Sequence, residues 1–115
     1  MRLRDLDGQL VKRTPDGSVD VETLAEADGV MFQCPQCAAG LPTREEAGRR
    51  FVIGAHYVLC WFVGRVPDDL DPKPGRWNPS GTGLDDLTFV GPGAASVLLT
   101  SGCGWHGFVQ NGAAS

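Results

Sequence analysis

The sequence has no long apolar run. A membrane-spanning helix needs roughly 18 to 20 consecutive apolar residues, and no stretch of the 115 residues comes near that length. The opening residues, MRLRDLDGQL, are interrupted by charges and lack the apolar centre of a secretion signal. We therefore expect a soluble protein that resides in the cytoplasm.

The sequence also has fewer basic than acidic residues. The chain has 10 Lys and Arg against 14 Asp and Glu, which gives a formal net charge of -4. Binding to nucleic acid without sequence preference depends on Lys and Arg side chains that neutralise phosphates, and no basic stripe is present. The charge therefore disfavours a nucleic-acid-binding module, which we keep as an alternative.

Common catalytic signatures are missing as well. The sequence contains no HExxH pattern and no Ser, His and Asp in the order of a known triad. The short Gly81–Gly83 stretch is not followed by a lysine, so it does not match a phosphate-binding loop. The sequence leaves enzymatic activity open and favours a protein that is not an enzyme.

Glycine and proline, by contrast, are abundant. The 16 glycines and 8 prolines favour short strands joined by turns over long helices. A chain of this length forms one domain, residues 1–115, with a core of its own. We predict a mainly β fold with a minor helical part: a small antiparallel sheet or sandwich with one short N-terminal helix.

The N-terminal region, residues 1–30, is predicted to contain a β-hairpin and that helix. Pro15–Gly17 supplies the turn, and residues 18–22 alternate between polar and apolar side chains. Thr23 and Glu26 have the spacing of a capping box, and Gly29 can end the helix.

The predicted β core spans residues 31–112, followed by a frayed tail at 113–115. Residues 50–64 are apolar at both odd and even positions, which is typical of a central strand covered on both faces. Residues 41–50 predict a helical turn or a solvated loop, and residues 67–83 a loop without regular structure. Further predicted strands are 87–90, 95–101 after a turn at 91–93, and 108–110.

Two pairs of metal-ligand residues stand out in this core. Cys34 and Cys37 form a CPQC motif, and Cys103 and His106 repeat the same spacing in CGWH. Two tight turns of this kind, or knuckles, supply the four tetrahedral ligands that zinc prefers. We therefore predict a zinc-ribbon-like Cys3His site made by these four residues.

Other uses of the thiols remain open. Three interpretations compete with zinc. The two pairs could be unrelated core residues, CPQC could be a redox pair, or the four residues could hold an iron–sulfur cluster. A disulfide framework is disfavoured, because four cysteines in a chain without an export signal are expected to stay reduced.

His56 and Cys60 are two further potential ligands. On one strand they would lie about 13 Å apart at roughly 3.3 Å per residue, so they cannot both bind one ion. We interpret Cys60 as a core thiol. His56 is either a hydrogen-bonded core histidine, a ligand of a second metal, or a base facing a cavity.

The loop at residues 67–83 contains a candidate binding pair. Arg76 and Trp77 form the kind of pair that is enriched at interface hot spots. The alternative is that Trp77 covers the core and the neighbouring acidic residues are solvated.

The order of these motifs resembles that of small proteins encoded by phages and prophages of bacteria, whose function is unassigned. The resemblance covers roughly residues 31–112, and only the two ligand pairs in it are specific. It implies a phage origin and a zinc-bound, mostly β fold, but no reaction. The matching residues are Phe32, Cys34, Pro35, Cys37, Trp77, Leu87, Thr88, Phe89, Ser96, Val97, Cys103, His106 and Gly112.

These observations together predict a small zinc-stabilised protein that binds another protein, from host or phage, in the cytoplasm of a bacterial host. Four protein ligands leave no position for the water that catalytic zinc activates. Host takeover, inhibition of a defence system and an accessory role are all compatible with this class. The alternatives are a metal-dependent hydrolase that uses the zinc site and a zinc-ribbon-like nucleic-acid-binding module.

Overall fold

A computed structural model of the chain describes residues 1–91, 95–100 and 102–115. Short 3-10 helices lie at Leu3–Leu6, Leu24–Glu26 and Leu84–Asp86, and a one-turn helix, α1, lies at Pro35–Ala38. The strands are β1 (Gln9–Thr14), β2 (Gly17–Val21), β3 (Gly29–Gln33), β4 (Thr43–Glu46), β5 (Arg49–Val52), β6 (Tyr57–Trp61), β7 (Asn78–Ser80), β8 (Thr88–Val90), β9 (Val97–Leu98), β10 (His106–Gly107), β11 (Val109–Gln110) and β12 (Ala113–Ala114).

The largest sheet has the strand order β2-β1-β3-β6, and each neighbouring pair in it is antiparallel. Smaller antiparallel pairs are formed by β4 with β5, β7 with β8, β9 with β10 and β11 with β12. The prediction of a mainly β fold built from small antiparallel sheets is therefore confirmed. No helix in the described part of the chain is long and apolar enough to cross a membrane.

The N-terminal hairpin forms as predicted. Thr14 pairs with Gly17, so Pro15 and Asp16 make a two-residue loop between β1 and β2. Gly17 has a φ of 143°, a conformation that a side chain would disfavour.

The N-terminal helix is shorter than predicted. The Thr23 hydroxyl donates a hydrogen bond to the Glu26 carboxylate at 2.6 Å, but only a 3-10 turn at Leu24–Glu26 follows. Gly29 does not end this helix. It lies in β3, where an added Cβ would be 2.7 Å from Cε3 of Trp61, so close packing is the reason for the glycine.

The predicted central strand at residues 50–64 is divided into β5 and β6. Gly54 interrupts it with a φ of 95°, which turns the chain between the two strands. β6 then lies at the edge of the large sheet and not at its centre. The continuous apolar pattern was misleading because a strand at the edge of a sheet can also be buried, as Val58, Cys60 and Trp61 of β6 are.

Segments predicted to be irregular also form strands. Residues 43–52 make the β4–β5 hairpin through Ala47 and Gly48, whose φ values of 52° and 77° suit a two-residue hairpin turn. Within the predicted loop at 67–83, β7 pairs with β8.

The C-terminal residues are ordered, unlike the predicted frayed tail. β12 pairs with β11, and Ala114 is buried. The Met1 amino group donates to the carbonyl of Ala114 at 2.7 Å, and the Ala114 N–H donates to the Met1 carbonyl at 2.8 Å. Residues 92 and 93 of the predicted turn and residue 101 of the predicted strand 95–101 lie outside the described residues. Within that predicted strand, β9 covers Val97–Leu98.

The core joins the large sheet to the C-terminal segment. Phe32 of β3 is fully buried, and its ring meets that of Trp105 edge to face, with centroids 5.9 Å apart. Phe62 packs in the same way against Phe89 at 6.3 Å. These contacts bring residues near Cys103 close to the end of β3, where the CPQC motif begins.

Candidate metal centre

The CPQC motif forms one turn of helix at the end of β3. Pro35 begins α1, a position that suits proline because its missing N–H would have no partner there. The Ala38 N–H donates to the carbonyl of Cys34 at 3.0 Å and closes the turn. Residues three apart on a helix lie on the same side, so Cys34 and Cys37 present their thiols to the same region.

The β3–β6 pairing places His56 beside Cys34. Gln33 pairs with Tyr57, and the ladder continues one step further, because the Cys34 N–H donates to the His56 carbonyl at 2.8 Å. Residues opposite each other in an antiparallel ladder have their side chains on the same face. The register thus brings the imidazole to the first thiol of the motif.

Gln33 holds the turn that leads to His56. Its buried amide donates to the carbonyls of Val52 at 2.7 Å and Ala55 at 3.1 Å, and its amide oxygen accepts the Val52 N–H at 2.7 Å. A buried polar side chain with all these bonds fixes the backbone around it. Gln33 is therefore a positioning residue for the loop between β5 and β6.

Cys103 comes from the C-terminal segment. It lies between Gly102 and Gly104, whose φ values of 67° and 68° are left-handed and favour glycine. The Gln36 side chain donates to the Cys103 carbonyl at 3.1 Å, so the CPQC turn itself holds this loop in place.

The four side chains form one compact cluster. The possible ligand atoms of Cys34, Cys37, His56 and Cys103 all lie within 4.8 Å of one another. Sγ of Cys103 is 3.5 Å from Sγ of Cys34 and 3.4 Å from Nε2 of His56. A tetrahedral zinc would place two sulfurs about 3.8 Å apart, and a sulfur and an imidazole nitrogen about 3.6 Å apart. The spacing therefore fits a single ion, and the cysteines are free thiols without a disulfide.

Two thiols of the cluster have pKa values that are shifted in opposite directions. The hydrogen bond from His56 lowers the pKa of Cys103 to about 6, assisted by the Trp105 N–H and the other two thiols, against the effect of desolvation. The hydrogen bond to Cys103 raises the pKa of Cys37 to about 11, together with desolvation and Cys34. Metals bind thiolates, so Cys103 is the sulfur already prepared to act as a ligand.

His106, the fourth ligand predicted from the sequence, does not join this cluster. It lies in β10 opposite Leu98, is exposed, and stacks on the ring of Phe108 with centroids 6.5 Å apart. Trp105 is buried against the core, and neighbouring residues of an extended segment point to opposite faces. The side chain of His106 is therefore turned outwards, and the structure places His56 where His106 was expected.

The four donors therefore do not form the two paired knuckles that the sequence predicts. CPQC makes a one-turn helix, and the other two donors come from the loop before β6 and from the glycine loop around Cys103. Sequence reasoning missed His56 as a partner of Cys34 because it treated residues 50–64 as one strand. Gly54 was the available signal for a turn just before this histidine.

Cys60 lies apart from the cluster, as its sequence position predicts. It is fully buried in the core, and desolvation raises the pKa of its thiol far above the usual value. This agrees with its interpretation as a core thiol.

Arg76 and Trp77 hold the loop around them in place. Trp77 is partly buried, stacks on Phe89 with centroids 5.7 Å apart and donates its indole N–H to the Ser96 carbonyl at 3.0 Å. The Arg76 guanidinium donates to backbone carbonyls of its own loop. Its acceptors are Pro67, Asp68, Leu70, Pro72 and Gly75. Both side chains thus have partners within the chain.

Comparison of the chain with models of protein families, with curated proteins and with solved structures gives no match. The resemblance to phage-encoded proteins therefore stays a prediction from the sequence motifs.

Proposed function

We propose that the chain binds one zinc ion through Cys34, Cys37, His56 and Cys103, and that this ion stabilises the fold. The observation that carries the proposal is the convergence of the four ligand atoms within 4.8 Å. Three thiols and one imidazole are a donor set typical of structural zinc.

Zinc is favoured over iron by the chemistry of the ligands. Thiolate and imidazole donors suit zinc, which is four-coordinate and has no redox chemistry of its own. Iron is the competing occupant, since sulfur-rich sites also bind it. A zinc protein would be colourless, whereas iron–thiolate sites absorb visible light.

A structural role follows from the closed coordination shell. Four protein ligands leave no position for a water molecule or a substrate. The donors belong to α1 and its preceding strand end, to the loop before β6 and to the C-terminal segment, so one ion would connect three separate parts of the chain. A metal-dependent hydrolase would instead need a ligand position that the protein leaves open.

We further propose that the zinc-stabilised fold acts by binding another protein in a bacterial host. Support comes from exposed apolar side chains, including Leu98 at 57% exposure, close to the cluster. The net charge of -4 disfavours nucleic acid as the partner.

The metal part of this proposal is tested by elemental analysis of protein purified without added metal. We expect one equivalent of zinc and no iron. Replacement of zinc by cobalt(II) should give the intense visible spectrum of a tetrahedral site with thiolate ligands. Protein without a transition metal, and without the ability to take up cobalt, would refute the proposal.

A further inference from the structure

A groove of about 520 Å³ runs beside the cluster. One wall is Tyr57–Leu59 of β6, the other is residues 96–100 around β9, and residues 72–75 border it. His56 and Gly102 line the groove as well, so it reaches the region of the candidate metal centre. The groove thus lies between two strands that belong to different sheets.

The first wall presents unused backbone groups. The Cys34 N–H donates to the His56 carbonyl, and the Phe62 N–H donates to the Asp28 carbonyl at 2.9 Å, so the even-numbered positions of β6 bond towards β3. Hydrogen-bonded and non-hydrogen-bonded pairs alternate in an antiparallel ladder. The N–H and C=O groups of Tyr57 and Leu59 therefore point away from β3, and no backbone partner for them lies among the described residues.

The second wall has the same property. The Leu99 N–H donates to the Trp105 carbonyl at 2.9 Å, so the odd-numbered positions around β9 bond towards β10. The backbone groups of Leu98 accordingly face the other way, and they too have no backbone partner in the part of the chain that the structure describes. Two open strand edges thus border one groove.

Trp77 lies between the two edges and bonds to both, through its backbone on one side and its indole on the other. Its backbone bonds to the outer edge of β6, through Trp77 N–H to the Trp61 carbonyl at 3.1 Å and through the Val63 N–H to the Trp77 carbonyl at 2.9 Å. Its indole N–H reaches the Ser96 carbonyl on the outer edge of the β9 segment. Trp77 also lines the groove, and beyond it the gap between the two edges stays open.

The charge of the groove is distinct from that of the whole chain. Although the protein has a net charge of -4, no Asp or Glu is among the described residues that line the groove, and Lys73 supplies a permanent positive charge there. The remaining surface is largely apolar, with Leu98, Val97 and Trp77 among its residues. An acidic group on a ligand would be complementary to Lys73.

We propose that this groove binds an extended segment of a partner protein, which adds as a strand between β6 and β9 and carries apolar side chains and an acidic residue beside Lys73. The inference rests on the proposed protein-binding function and names its surface. Addition of a strand to open sheet edges supplies main-chain hydrogen bonds for affinity, while the side-chain contacts supply selectivity. Three to five residues of the segment would fill the open length at roughly 3.3 Å per residue.

The test uses a displayed library of random eight-residue peptides, selected on the metal-loaded protein. We expect enriched peptides to contain alternating apolar residues and at least one Asp or Glu. Synthetic versions should bind at least tenfold more weakly to Leu98→Asp and to Lys73→Glu. The matched controls are Val19→Asp, at 50% exposure, and Lys12→Glu, both on the distant hairpin, and they should bind like the parent.

Two measurements identify strand addition itself. Methylation of alternate peptide amides should abolish binding when it removes the N–H groups that face the sheet edges, and methylation of the intervening amides should not. Hydrogen exchange at Tyr57, Leu59 and Leu98 should slow on binding. Failure to enrich any peptide, or enriched peptides that bind Leu98→Asp and Lys73→Glu like the parent, would overturn the proposal, as would a homodimer that occupies the groove.

Metal content and unfolding are measured on the same variants. These measurements separate the proposal of the zinc site from that of the peptide-binding groove. A variant that keeps its metal and its stability but loses peptide binding supports the groove. Selected peptides that bind elsewhere, with all groove variants unaffected, would overturn the groove while the protein-binding function stands. A protein without metal that still binds peptides in the groove would refute only the zinc site.

Discussion

The Cys34 N–H donates a hydrogen bond to the His56 carbonyl at 2.8 Å, one residue beyond the ends of the paired strands β3 and β6. This bond couples the register of the main sheet to the geometry of the cluster. The same ladder that packs Phe32 and Val58 into the core brings an imidazole to the thiols. The register of β3 and β6 therefore brings together two of the four candidate ligands.

Cys103→Ser should remove both the metal and part of the stability. Cys103 is the donor that the C-terminal segment contributes, so its loss disconnects that segment from the rest of the site. Metal binding and folding are coupled in structural sites, and we expect a loss of several kcal/mol in the free energy of unfolding. Urea unfolding of the parent and the variant, with and without a chelator, measures this loss. A variant that unfolds like the parent in both conditions would contradict a structural role.

Gln33→Leu should weaken metal binding although Gln33 is not a ligand. The substitution keeps a similar volume but removes the three hydrogen bonds that fix the turn before His56. Backbone groups left unsatisfied in the interior cost about 1 to 3 kcal/mol each. We expect lower zinc affinity in a competition with a chromogenic chelator. The control is Gln110→Leu on the exposed side of β11, which should keep the parent's affinity.

The thiols of the metal-free protein should differ in their reaction with iodoacetamide. At pH 7 Cys103, with its pKa lowered to about 6, is mostly thiolate, whereas Cys37, with its pKa raised to about 11, is protonated. Mass spectrometry should find Cys103 modified first, at a rate that falls as the pH drops through 6. Zinc should protect it. Earlier modification of Cys37 would contradict this assignment of charge.

The same pKa shift predicts how stability depends on pH in the metal-free protein. The pKa of Cys103 is lower in the folded chain than its ordinary value of 9.0, because the imidazole of His56 stabilises the thiolate. The stabilisation is therefore fully present above pH 9, and it is lost as the pH falls towards 6. In Cys103→Ser this part of the pH dependence should disappear.

Arg76→Ala should loosen the loop at residues 67–75. One guanidinium bonds to carbonyls along this loop, and a lysine ammonium cannot reproduce that planar set of donors. We expect faster proteolysis within the loop for both Arg76→Ala and Arg76→Lys, with metal content unchanged. Arg44→Ala is the control, since Arg44 lies on exposed β4 and its side chain forms an ion pair with Glu46 at 3.6 Å. Parent-like resistance to protease in Arg76→Ala would contradict the structural role.

Local patterns predicted the parts of the fold that local chemistry decides. The Pro15–Gly17 turn forms the hairpin, and CPQC forms a tight turn with both thiols on one side. The mainly β character follows from the many glycines and prolines. These features depend on residues close together in sequence, where turn geometry and periodicity act directly.

Local patterns could not predict the features that depend on contacts between distant parts of the chain. The cluster contains His56 because of the register between β3 and β6, and a register cannot be read from spacing within one segment. His106 has the expected spacing from Cys103, but burial of Trp105 in the core turns it outwards. Gly29 matched a helix end, although its role is to admit the ring of Trp61. In each case a tertiary contact overrides the local signal.

The most direct test of the account compares two histidine variants. We predict that His56→Ala, prepared without added metal, has lost most of its zinc by elemental analysis, and that its cobalt(II) spectrum no longer has the intensity of a tetrahedral site. His106→Ala should retain one equivalent of zinc and the parent's spectrum. Full zinc content in His56→Ala, together with loss of zinc in His106→Ala, would contradict the site described by the structure.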